Sequence, residues 1–234
     1  MVDQAFLSIK RVNRNGALSS SSCHSAYFWN NDFAMKMESI KVGVLDLQGD
    51  VIEHIRAIEA CGAQAFSVKT IDDLMAVHAL IIPGGESTTI GKLLHWYDLF
   101  KPLQKRIQEG MPVYGTCAGA ILLSSKIEGK EQAHHLGVMD IVVERNAYGR
   151  QLDSFEKMIK IELNEEVTNV PAIFIRAPRI KSIGQKTQAL AQCGSDVVLA
   201  REDNMLVSTF HPELTEDITI HQYFLSMIPH DSIA

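Results

Sequence analysis

Three side chains carry the chemistry this sequence offers: the thiol of Cys117, set between Gly115 and Gly119, and the imidazole and carboxylate of His211 and Glu213, set on either side of Pro212. The order Gly-x-Cys-x-Gly, with Pro112-Val113-Tyr114 before it and Ile121-Leu122-Leu123 after it, has the pattern of a nucleophile elbow. In such an elbow a strand ends, the chain turns sharply into a helix, and the central side chain is left exposed at the carboxyl edge of a sheet. Side chains at 115 and 119 would crowd that packing, and a helix amino terminus behind Cys117 favours a thiolate. A cysteine nucleophile also needs a base and a group that orients the base. Pro212 biases His211 toward an extended backbone, and residues two apart in an extended segment project to one side, about 6 to 7 Å apart at Cα. A glutamate so placed reaches an imidazole N–H and holds its tautomer, as the third member of a triad does. A lone His-x-Glu is more often a loop with a solvated carboxylate and a surface histidine. The elbow cysteine upstream and the β-rich run ending at Phe210 turn the reading toward chemistry.

Acyl transfer also needs donors for the oxyanion. Pro83-Gly84-Gly85-Glu86-Ser87-Thr88-Thr89 follows an apolar run and precedes a helical pattern, so it lies at another strand's carboxyl end. Its glycines let backbone N–H groups face a shared crevice, and the amides of Gly85 and Ala118 are the candidate oxyanion hole. The plainer reading is a glycine-rich turn capped by Ser87. A phosphate loop is disfavoured because no Gly-Lys-Ser/Thr ending follows. His54, His78 and His95 read as packed or solvated, and His134-His135 as a loop pair without a carboxylate or cysteine at ligand spacing. No metal site is expected.

These groups are positioned by alternating strands and helices. Residues 40–47 form a β-rich run, and Asp50 with Glu53 opens a helix in the manner of a capping box, its apolar face carried by Val51, Ile55, Ile58 and Cys61 and its end marked by Gly62. Residues 65–68 and 79–82 read as two further buried strands, followed by a helix through Ile90, Leu93, Leu94 and Tyr97 and another over 99–108. This alternation implies right-handed crossovers and a mostly parallel sheet with helices on both faces, an α/β three-layer fold whose sites lie at strand carboxyl ends. After the elbow helix the pattern changes to short strand-like runs at 138–143, 158–163, 172–175, 188–193, 197–200 and 205–210, read as antiparallel additions, and 218–228 closes the chain as a helix.

With 234 residues, 46% hydrophobic and 21% charged, the chain buries one sizeable core. The serine run 19–22 and the Asn-rich stretches around it lack any period, so residues 1–38 read as a flexible extension and 39–234 as a single domain. Lys10, Arg11 and Arg14 before serines also suit an organelle-targeting segment, although Asp3 is acidic and no apolar signal core appears. A formal charge of -6 and no Lys/Arg cluster disfavour nucleic acid. No apolar run approaches the roughly 18 residues of a membrane span. Cys23, Cys61, Cys117 and Cys193 lie far apart with no C-x-x-C pair, which fits a reducing compartment and the cytoplasm.

Six stretches, in this order, resemble the glutaminase subunits of pyridoxal 5′-phosphate synthase, within the triad (class I) glutamine amidotransferases. They are Leu47-Gln48-Gly49-Asp50, Pro83 to Thr89, Gly115-Thr116-Cys117-Ala118-Gly119, Arg145-Asn146-Ala147-Tyr148-Gly149-Arg150-Gln151, Phe174-Ile175-Arg176-Ala177-Pro178 and Phe210-His211-Pro212-Glu213-Leu214-Thr215. The elbow and His-x-Glu are general to the triad enzymes, whereas the Arg145 and Ile175-Arg176 stretches are particular to this subfamily. The resemblance runs from about residue 40 to 228 and implies a flavodoxin-like fold. It further implies that Cys117 attacks the side-chain amide of L-glutamine, that His211 shuttles protons and that Glu213 orients it. Gly85, Glu86, Ser87, Arg145, Ile175 and Arg176 would line the glutamine pocket. Ammonia would pass to a separate (β/α)8 synthase subunit that builds the cofactor, so this subunit itself would need no cofactor, and Gln48 and Gly49 would lie near that partner. Three features depart from the pattern: Asp46 in an apolar first strand, Ala120 in place of a larger side chain, and the extension 1–38. The competing readings are a triad glutaminase serving another acceptor and a binding subunit that has lost activity.

Overall fold

Alternate residues of the first strand enter different cores. In β1 (Lys41–Leu45) Val42 and Val44 face one hydrophobic cluster and Leu45 the other, and in β3 (Ala79–Ile82) Ala79 and Ile81 divide from Leu80 and Ile82 in the same way. A strand covered on both faces needs apolar residues at every position, which is why these runs are continuous rather than alternating. The computed structural model describes residues 39–129, 134–145 and 154–229. The extension 1–38 and the stretch 146–151 lie outside the described residues.

The parallel part of the sheet is ordered β2 (Gln64–Val68), β1, β3, β4 (Val113–Thr116) and β12 (Met205–Ser208). It continues from β12 through antiparallel pairs into β11 (Asp196–Glu202), β10 (Gln188–Cys193), β7 (Ser154–Leu163) and β8 (Glu166–Ile175). A branch of β5 (Ser124–Ile127), β6 (Met139–Glu144) and β9 (Arg179–Ile183) joins through β11. Helices α1 (Val51–Ala60) and α6 (Thr219–Ser226) bury Val51, Ile58, Ile220 and Phe224 on one face of the sheet. On the other face lie α2 (Ile71–Met75), α3 (Ser87–Trp96), α4 (Phe100–Gln108) and α5 (Ala118–Leu123). This is the three-layer α/β arrangement expected from the sequence, with its antiparallel additions.

Packing fixes these helices more than propensity does. The buried residues of α4 are Leu103 and Ile107. Each contributes about 1.5–3 kcal/mol on burial, against propensity differences below about 1 kcal/mol for ordinary residues. Pro102 falls in the helix's first turn, where no intrahelical N–H bond is lost. The β7–β8 hairpin turns through Asn164 and Glu165, both at positive φ (50° and 69°), between the paired Leu163 and Glu166. That is the two-residue turn whose twist matches flanking strands.

Three expectations differ in the structure. Strand β12, expected among the antiparallel additions, pairs parallel with β4. Strand β2 is an edge strand in which only Val68 is fully buried, since its far side has no neighbour to cover it. Asp50 stands at the amino end of α1 but makes no side-chain cap; its carboxylate turns away to His211. Gly62 ends the helix as expected, at φ 83° with its N–H on the carbonyl of Glu59. Asp46 is accommodated by Ser67 Oγ at 2.6 Å and Lys69 Nζ at 3.1 Å, across the neighbouring strand end. Ala120 is fully buried in the second cluster.

Candidate active site

The parallel strands deliver the site. The turns after β1, β3, β4 and β12 carry Gln48, Gly84-Gly85-Glu86, Cys117 and His211 respectively, all at strand carboxyl ends. Cys117 adopts φ 47° and ψ −96° between β4 and α5, a conformation that costs a non-glycine residue strain and that an elbow imposes on its nucleophile. The two glycines answer the close approach. A Cβ at Gly119 would collide with the carbonyl oxygen of Ile82, and one at Gly115 would lie 2.6 Å from the backbone of Gly119. The N–H of Cys117 is fixed on Ser208 O at 2.8 Å, tying the elbow to β12.

His211 and Glu213 meet as the spacing predicts, by a somewhat different backbone. Pro212–Leu214 is a turn of 3-10 helix, and His211 enters it at φ −111°, ψ 86°. Nδ1 of His211 and Oε1 of Glu213 are 2.8 Å apart, with both residues buried. The His211 N–H donates to Ile173 O at 2.8 Å, which anchors the turn to β8. Burial alone would push the imidazole pKa down, but hydrogen bonds with Asp50, Cys117 and Glu213 outweigh it and raise the pKa to about 12. The same network holds Glu213 well below the usual carboxylate range: burial opposes ionisation, and the hydrogen bonds that His54 and His211 make to the carboxylate overcome it. Cys117, His211 and Glu213 are thus brought into one hydrogen-bonded series.

Glu86, not Ser87, caps α3. Its carboxylate accepts from the N–H groups of Thr88 (3.3 Å) and Thr89 (2.6 Å) and from Thr89 Oγ1 (2.7 Å). Burial works against its charge, but these bonds prevail and lower its pKa to about 2. Arg145 lies against it, with Nη2 at 2.9 Å from Glu86 Oε1 and Nη1 at 2.9 Å from Thr88 Oγ1. Ser87 is buried as the first helical residue. Ile175 ends β8 with its carbonyl oxygen 3.9 Å from Cys117 Sγ, and Arg176 follows at φ 45° with its side chain exposed. Ala118 is the first residue of α5, so its N–H has no acceptor within the helix. Gly85 has φ 152° and packs on Gln48, whose Oε1 accepts from the Glu86 N–H at 2.7 Å. Gly49 is exposed beside it.

Sequence reasoning missed four residues here. A Cβ at Gly84 would collide with the His211 ring, and Asp50 Oδ2 lies 3.4 Å from His211 Nδ1. His54, read as packed or solvated, and His221, not singled out, are fully buried and touch one another, and His54 lies against Thr116 and Glu213. Their signal was weak: His54 sits one turn into an amphipathic helix at a core-facing position. Asp50, His211 and Glu213 also place three ligand-type atoms within 4.8 Å. Of the remaining histidines, His134 is exposed and His95 stacks on Phe100 at 4.1 Å.

A profile of the SNO glutamine amidotransferase family matches residues 44–230. A protein of Brevibacillus brevis named pyridoxal 5′-phosphate synthase subunit PdxT is 48% identical over 81% of this chain and 97% of its own. One of the same name from Desulforamulus reducens is 50% identical over 80% of this chain and 98% of its own. Among solved structures, a glutamine amidotransferase superposes with a TM-score of 0.76 at 45% identity, covering 80% of this chain and 98% of that one. PurLQS from Thermotoga maritima, at a TM-score of 0.57 and 15% identity over 81% of this chain and 99% of that one, shares the fold alone. With matches of this length and identity on the geometry described, the chain belongs to the SNO glutamine amidotransferase family.

Proposed function

We propose that this chain is the glutaminase subunit of a pyridoxal 5′-phosphate synthase, hydrolysing L-glutamine to L-glutamate and ammonia with Cys117 as nucleophile. The observation that carries the reading is the series from Cys117, at a positive-φ elbow, through His211 to Glu213, with 2.8 Å between the last two. The names of the two relatives supply the acceptor.

The thiolate attacks the amide carbon of glutamine, and the oxyanion takes N–H bonds from Gly85 and Ala118. His211 gives its proton to the departing nitrogen, the C–N bond breaks, and ammonia leaves a γ-glutamyl thioester on Cys117. Water then attacks the thioester carbon while His211 accepts its proton, and glutamate departs as the thiolate is restored. Glu213 keeps the imidazole in the required tautomer and stabilises its charged form.

The substrate is a zwitterion. Arg145 and Arg176 offer N–H donors to its α-carboxylate, and ionised Glu86 offers acceptors to its α-ammonium, with Ser87 and Ile175 completing the pocket. Gln48 and Gly49 face the synthase partner, where Gln48 joins the exposed turn to the Glu86 amide. No cofactor is assigned to this subunit, since pyridoxal 5′-phosphate is the product of the assembly. Nor is a metal: Oε1 of Glu213 is already engaged by His211, with His54 and Thr116 beside it. No helix among the described residues is long and apolar enough to cross a membrane. Cys61, Cys117 and Cys193 are free thiols, in keeping with the cytoplasm.

An electrophilic glutamine analogue tests the assignment. With the synthase subunit present, mass spectrometry should find one adduct, on Cys117; labelling elsewhere, or none, would overturn it.

A further inference from the structure

Beyond the bond to His211, Glu213 Oε1 meets a buried polar chain that the hydrolysis scheme does not use. Nε2 of His54 is 3.1 Å from Thr116 Oγ1 and 3.4 Å from Glu213 Oε1, and Nδ1 of His54 is 3.1 Å from Nε2 of His221. Thr116 Oγ1 is in turn 3.5 Å from Glu213 Oε1. All three of His54, Thr116 and His221 are fully buried, and they come from α1, β4 and α6 respectively. The ring of Tyr114 meets both histidines edge-on and is itself backed by Phe224. Buried polar groups cost free energy unless they are paired, so a four-residue network here calls for a reason.

The protons in this network can be placed. Burial pushes the His221 pKa down to about 3, so His221 is neutral near pH 7 and carries one N–H. Its Nδ1 is buried with no hydrogen-bond partner among the described residues. A buried orphan N–H is rarer than a buried orphan lone pair, which puts the proton on Nε2. His221 then donates to His54 Nδ1, and the remaining proton of His54 sits on Nε2, aimed at Thr116 and Glu213. The Thr116 hydroxyl accepts from His54 and donates onward to Glu213 Oε1. Three donors therefore converge on one oxygen: His211 Nδ1, Thr116 Oγ1 and His54 Nε2. The other oxygen, Oε2, is buried without a partner among the described residues, so a donor lost at Oε1 has no replacement there.

We infer that His54 is a positioning residue for the glutaminase reaction: through Thr116 and directly, and with its tautomer set by His221, it fixes Glu213 Oε1 opposite His211 Nδ1. Thr116 immediately precedes Cys117, so the same hydroxyl ties the nucleophile's elbow to the carboxylate that orients the base. The inference rests on the proposed glutaminase activity.

The test compares His54→Gln, His54→Asn and His54→Leu in the complex with the synthase subunit, by glutamine kinetics normalised to folded protein and by thermal midpoint. Glutamine's amide N–H₂ reaches the position of the ring Nε2, whereas asparagine's reaches only that of Nδ1. His54→Gln should keep a kcat close to wild type. His54→Asn and His54→Leu should lower kcat by about 10- to 100-fold, the range that a small misplacement of a reacting group costs, with KM little changed. The two polar variants have similar bulk, so a purely structural role would not separate their kcat values at matched folded fraction. Thr116→Ser, which keeps the hydroxyl, and Thr116→Val, which deletes it at nearly constant volume, supply a second pair should the histidine variants fold poorly. Wild-type kcat in His54→Leu and Thr116→Val, or equal losses in His54→Gln and His54→Asn, would overturn the inference. A wild-type complex that releases no ammonia instead overturns the glutaminase assignment itself.

Discussion

Gly84 lies directly beneath the imidazole of His211: a Cβ at that position would collide with Cε1 of the ring and sit 2.9 Å from Nδ1. The glycine is thus required by the base and not only by the turn. Gly84→Ala should push the ring off Cys117 and Glu213 while leaving the sheet intact. A displacement of this kind costs about a hundredfold in kcat. Steady-state kinetics with the synthase partner, alongside circular dichroism, measure it; a wild-type kcat in a folded variant would show that the ring has room to move.

Glu213→Gln keeps the size of the side chain and removes its charge. The amide no longer stabilises an imidazolium and can turn its N–H₂ toward Nδ1, setting the wrong tautomer. Loss of roughly 10⁴-fold in kcat is the scale for that change in a triad. Partner binding, followed by gel filtration of the mixed subunits, should be unaffected.

Arg145 is held by Glu86 and Thr88 in a fork geometry, 2.9 Å to each. Arg145→Lys retains the charge and loses the fork, so it should raise KM for glutamine by about tenfold with kcat nearly constant. Glu86→Ala removes the cap of α3 as well. Loss of a side-chain cap costs about 1 kcal/mol, which lowers the thermal midpoint by about 2–4 °C in a chain of this size. A KM effect without a shift in midpoint would separate the two roles of Glu86.

Stability should peak near neutral pH. The pKa of His221 falls from 6.5 to about 3 on folding, so below pH 6.5 the unfolded chain takes up a proton that the native chain refuses, and stability is lost as pH falls through that window. Glu213 acts in the same direction below its unfolded value of 4.5. His211 acts oppositely: raised from 6.5 to about 12, it contributes fully below pH 6.5 and less as pH climbs toward 12. Urea midpoints of the isolated chain at about pH 5 and pH 7 should differ, and His221→Phe should reduce the difference. An unchanged difference would mean that another group dominates the acid limb.

The sequence made β1, β3 and β4 legible because both of their faces are buried, and it made the elbow and His-x-Glu legible because each is a local pattern. Local patterns also misled. Asp50 and Glu53 have capping-box spacing, yet the nearby imidazole of His211 competes for the Asp50 carboxylate and the cap does not form. Strands β5 and β9 escaped notice since Ser-Ser-Lys-Ile and Arg-Ile-Lys-Ser-Ile have little apolar alternation and are formed by their neighbours. The pairing of His54 with His221 joins residues 167 positions apart, and no spacing rule within one element points to it.

Every kinetic expectation above depends on glutamine hydrolysis by Cys117 with the help of His211 and Glu213. It is tested most directly by ammonia release from amide-¹⁵N-labelled glutamine, comparing wild type with Cys117→Ala, each mixed with the synthase subunit. Labelled ammonia is expected from wild type and none above background from Cys117→Ala, with equal partner binding. Release by Cys117→Ala at the wild-type rate, or none from the wild-type complex, would contradict it.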